Sequence, residues 1–151
     1  MLGGKPSTLA WIVVHLGYPL LPFVLEGSIR LVAADWHLSF ETFSSSSLAM
    51  SVALLSIFVN QSLRSYSATT PDALEDDSVN GASAFFLAVA MVFFTLFGII
   101  VLLYALVKDR HVHGLGTLLR TFEAFIFIGW VVPIVTAVVA QRSFKLRASF
   151  S

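Results

Sequence analysis

His15, Glu26 and Arg30 are the residues whose types and spacing best suit them to act together. At 100° per residue they fall, with Pro22, within about 80° of one another on one helix face. Glu26 and Arg30, four apart, are placed to pair along a helix. A titrating imidazole, a carboxylate and a guanidinium on one stripe are the parts of a polar pathway or a ligand site. The plainer reading is a structural ion pair near one membrane interface, with His15 bonded to a neighbouring helix. That reading is favoured, because span ends tolerate charge by snorkelling. Arg120 and Glu123, three apart, repeat the device late in the chain. The four charged residues are expected to meet as one clamp between two helices.

Other candidates for chemistry are weaker. A serine run covers residues 44–47, yet no Gly-x-Ser-x-Gly elbow or spaced acid–base partner accompanies it, so no catalytic residue is assigned. Its better use is packing. Ser44, Ser47 and Ser51 share one helix face, and Ala49, Ala53, Ser56 and Asn60 roughly another. Small residues let helices approach closely while hydroxyls and amides bond across the contact. One stripe would serve the chain's own helices, and the other a second copy of the chain. His111 and His113, with His37 and Asp109, are the only conceivable metal or pH-sensing group, and they meet no ligand-spacing motif. The chain has no cysteine, which removes thiolate metal sites, iron–sulfur clusters and disulfides. His15 is the only histidine deep in a span, too few for matched haem ligands. No metal and no cofactor are expected.

The elements that must position these residues follow from composition. Hydrophobic residues make up 57% of the 151 and charged residues only 12%, too few charges to cover a soluble domain of this size. About 20 apolar residues cross a hydrocarbon core, and four stretches qualify: 9–34, 40–63, 82–107 and 115–140. Backbone groups in lipid must be satisfied within the segment, so all four are read as helices. The expectation is an all-α integral membrane protein, a single domain of four transmembrane helices. Links of a few residues, 35–39 and 108–114, make two antiparallel hairpins. Pro19 and Pro22 should bend the first helix and Pro133 the last. The third helix is Phe-rich and apolar on every face, which suits lipid or a membrane contact. Val32-Ala33-Ala34 resembles a signal-peptide cleavage site, but the preceding stretch is too long and carries Pro19, Pro22, Glu26 and Arg30.

Residues 64–81 are read as the one sizeable polar loop, with Pro71 and the acidic run Glu75, Asp76 and Asp77. Lys5, Arg64, Arg142, Lys145 and Arg147 share a side of the membrane, against Arg30, Lys108, Arg110 and Arg120 on the other. Setting aside Arg30 and Arg120 as internal leaves five against two, so both termini are expected in the cytoplasm, in a plasma or inner membrane. Zero formal net charge gives no ground for nucleic-acid binding. The expected function is a non-catalytic membrane module that oligomerises with copies of itself. It would dock a soluble or membrane protein at the cytoplasmic face through Glu75, Asp76, Asp77, Arg142, Lys145 and Arg147. A channel or transporter subunit with a path along the first helix is the alternative, and an intramembrane lipid or quinone enzyme ranks last.

Overall fold

The computed structural model describes residues 8–33, 36, 43–67, 73–109 and 114–144. These are helical with no strand among them: α1 (Thr8–Ile12), a π-helical turn (Val13–Gly17), α2 (Tyr18–Ala33), α3 (Ser45–Ser67), α4 (Ala73–Asp109), α5 (Leu115–Gly129) and α6 (Val131–Phe144). Four stretches are long and apolar enough to cross a membrane: Leu9–Ala33, Ser45–Tyr66, Asp77–Lys108 and Leu115–Phe144.

Prolines account for both interruptions. Pro19 has no amide hydrogen and its ring crowds the carbonyl four residues back. The chain responds just upstream with the π turn, in which the Tyr18 amide donates to Val13 rather than to Val14. A π turn takes in an extra residue, so the phase of His15 against Glu26 is turned by about half of one residue's 100°, and the two stay on the same side of the first span. His15 is buried, Glu26 is half-buried, and Pro22 and Arg30 are exposed. Pro133 acts likewise: it cannot donate to Gly129, and the fourth span breaks at Trp130, between α5 and α6.

α4 begins nine residues before the third apolar stretch does. The acidic run expected in a loop is therefore the start of a helix, where carboxylates suit the positive end of the dipole. A window of mean hydropathy misses this extension, because Glu75, Asp76, Asp77, Ser78 and Asn80 dominate its composition.

The core is organised around α3. Half of its apolar window is buried, against 33% for the third span and 17% each for the first and fourth. α3 packs most extensively along α4 and also meets α2, α5 and α6. At one end Leu48, Ala49, Val52 and Ala53 pack on Phe93, Leu96, Ile100 and Ile126. At the other, Trp11, Leu55, Val59 and Leu63 pack on Val79, Phe86, Ala137 and Ala140. The Phe-rich helix is thus not uniformly outward: Phe86 and Phe93 belong to the core, while Phe85 is exposed.

Candidate functional site

Two carboxylates of the spans, Glu26 and Glu123, converge on the first turn of α3. Ser44 is its N-cap: the Ser44 carbonyl accepts from the Leu48 amide at 3.1 Å, and Ser44 Oγ accepts from the Ser47 amide at 3.5 Å. Ser46 and Ser44 share a hydroxyl contact of 2.7 Å. α3 has no acidic residue of its own in this turn, so its positive dipole end is open to carboxylates from elsewhere. Two arrive. Ser47 Oγ donates to Glu26 Oε2, from α2. Ser45 Oγ donates to Glu123 Oε1, from α5, at 3.4 Å.

Each carboxylate has a second partner. Glu26 Oε1 accepts from Arg30 at 2.6 Å, one turn along α2. Glu123 Oε1 accepts from the Tyr104 hydroxyl of α4. Arg30 lies within electrostatic reach of that phenol, so the two halves form one neighbourhood. Four elements thereby meet at one helix end: α2, α3, α4 and α5. Packing fixes the approach of α2, because the Phe43 ring lies over Gly27, where an added Cβ would come within 2.5 Å of it. Phe43 also packs on Phe23, ring centres 5.3 Å apart.

This is not the four-charge clamp that spacing suggests. Glu26 and Arg30 pair, but Arg120 is exposed and has no ion pair with another described residue. Residues three apart on a helix can still diverge when one of them is claimed across a contact, and α3 and α4 claim Glu123. Tyr104, Ser45 and Phe43 complete the site and were not singled out from sequence. Tyr104 offered one signal, as the only tyrosine of a span otherwise short of polar groups.

The stripes of α3 are used up inside the chain. Ser44, Ala49, Ser51, Ala53, Ser56 and Asn60 are buried and Ser47 is half-buried. Ser56 Oγ donates to the Val52 carbonyl at 2.9 Å, and Asn60 Oδ1 accepts from Ser83 Oγ of α4. Ser51 Oγ and Trp11 Nε1 are buried without a partner among the described residues. No stripe of α3 is left over for a second copy, which removes the ground on which one was expected there.

His15 and Glu26 are not bonded to one another. Its Nδ1 donates to the Trp11 carbonyl at 3.2 Å, and its ring stacks on the Trp11 indole at 4.7 Å, the planes within 8°. It bonds within its own helix rather than to a neighbour. At the same end of the bundle the Tyr66 and Phe144 rings meet at 6.1 Å, bringing the close of α3 beside the close of α6. Asp77, Arg64 and Arg142 are exposed. Lys145 and Arg147, the side chains of Glu75 and Asp76, and the group His37, Asp109, His111 and His113 lie outside the described side chains.

No family model, curated protein or solved structure matches this chain.

Proposed function

We propose that the chain is a four-span integral membrane protein, arranged as two antiparallel hairpins with both termini cytoplasmic, that acts as a non-catalytic module: it self-associates in the bilayer and docks a protein partner at its cytoplasmic end. One observation carries this reading. The carboxylates of Glu26 and Glu123 are both taken up by α3 hydroxyls, one with Arg30 and the other with Tyr104. Polar groups used in this way fasten helices to one another, which is the work of a scaffold. A polar path along the first span is poorly served, since His15 is bonded into its own turn and lies about 16 Å along the axis from Glu26.

The docking end is the one at which α3 and α6 finish and α4 begins. It carries the exposed Asp77, Arg64 and Arg142, with Glu75 and Asp76 preceding Asp77 and Lys145 and Arg147 following Arg142 in the chain. Charges of both signs on one end select a partner by complementarity and bind more weakly as salt rises. The test is capture of the native complex from detergent-solubilised membranes, with the wild type and with E75Q/D76N/D77N. A stoichiometric partner that is released by salt and lost in the variant is the expected result. Ion flux through vesicles of the purified protein, abolished by Glu26→Gln in intact assemblies, would replace this reading with the channel.

A further inference from the structure

The self-association proposed above needs a surface, and α3 does not supply it. The first span is an alternative, with only 17% of its apolar window buried. At its π turn lies an open apolar groove of about 540 Å³, lined by Val13, Val14, Gly17, Tyr18, Leu21 and Phe58. Two polar groups at this groove are unserved. The Tyr18 side chain is 66% exposed and makes no hydrogen bond to another described residue. The Val14 carbonyl loses both of its helical donors, because the Tyr18 amide is spent on Val13 and residue 19 is a proline without one. Both groups sit about 8–14 Å from the Leu9 end of a span that crosses roughly 30 Å of hydrocarbon. Lipid chains have no donor or acceptor to offer there.

We infer that this groove is a self-association surface, in which the Tyr18 hydroxyl of each copy donates to the Val14 carbonyl of the other. The inference rests on the module reading and gives it a location. A donor and an acceptor one turn apart on a single face are self-complementary, as a two-fold contact requires. Their depths match. Helical side chains lean toward the N-terminus, so the Tyr18 hydroxyl lies over the preceding turn, level with Val14. Two copies of like orientation can therefore exchange these bonds. Gly17 leaves the approach open, since a Cβ there would meet nothing within 4 Å.

Because the chain has no cysteine, single-cysteine cross-linking reads the contact directly. Gly17→Cys is compared with Met91→Cys on α4 and Ile128→Cys on α5, positions 65% and 76% exposed, in dilute proteoliposomes under mild oxidation. Disulfide-linked dimers from Gly17→Cys alone are expected. Adding Tyr18→Phe should lower their yield about five- to tenfold, the worth of two interhelical hydrogen bonds in lipid. In the cysteine-free protein, Gly17→Leu should fill the groove and lower the dimer fraction in single-molecule photobleaching by a similar factor. Dimers from Met91→Cys or Ile128→Cys but not Gly17→Cys would overturn this surface and leave self-association standing. Single bleaching steps throughout, with no cross-link at any position, would overturn both. A cross-link unmoved by Tyr18→Phe and a dimer fraction unmoved by Gly17→Leu would also contradict the inference.

Discussion

The two ends of α3 are held by different physics. At its start, four elements are tied by oxygen atoms: Ser45 and Ser47 reach out to Glu123 and Glu26, and Tyr104 and Arg30 close the arrangement. Toward its finish, contact is made by shape: the wholly buried Trp11 fits among Leu55, Val59, Leu63 and Val79, with the Asn60–Ser83 bond as the main polar link between helices there. Apolar packing is set by the fit of side chains over a broad contact rather than by single bonds. A carboxylate on a helix N-terminus is directional and depends on the dipole it faces. The polar end therefore fixes which way α2 and α5 face, in addition to the apolar packing that both ends share.

Substitutions at the two ends should divide accordingly. The largest loss is expected for Trp11→Ala, about 3–5 kcal/mol for an aromatic side chain with no exposed surface, measured by reversible unfolding in mixed micelles. Glu26→Ala comes next, at about 1.5–3 kcal/mol, the range for hydrogen bonds to a charged group. It leaves Arg30 without its 2.6 Å partner, so Glu26→Ala with Arg30→Ala should cost less than the two single losses added together. Asn60→Ala should cost roughly 0.6 kcal/mol and no more than about 1.7. Ser51→Ala should cost least, near zero or slightly favourable, because its buried hydroxyl has no partner to lose. An equal penalty for Ser51→Ala and Asn60→Ala would show that the shape-held end makes no use of its amide bond.

The same contrast explains what was legible beforehand. Four apolar helices were readable from hydropathy, because span length is set by hydrocarbon thickness and leaves a mark in composition. Periodicity also placed Glu26 against Arg30 and the two stripes on α3, since these relations lie within one helix. The partners of Glu123 were not readable. Tyr104 and Ser45 come to it from two other helices, and spacing carries no information across helices. The π turn was hidden for a related reason: Pro19 announces a missing hydrogen bond but does not say whether the helix will kink or take in a residue. The acidic run of α4 was misplaced because hydropathy reports the lipid-crossing part of a helix and is blind to the part that continues beyond it.

Glu123 is held by α3 and α4 rather than by its own helix, and a pair of double-mutant cycles reads this hold pair by pair. Unfolding free energies would be measured for Glu123→Gln combined with Tyr104→Phe, and for Glu123→Gln combined with Arg120→Gln. A coupling of about 1 kcal/mol or more is expected in the first cycle and none above the error, about 0.3–0.5 kcal/mol, in the second. Coupling of Glu123 to Arg120, with none to Tyr104, would return the site to an ion pair along α5 and contradict the convergence on α3.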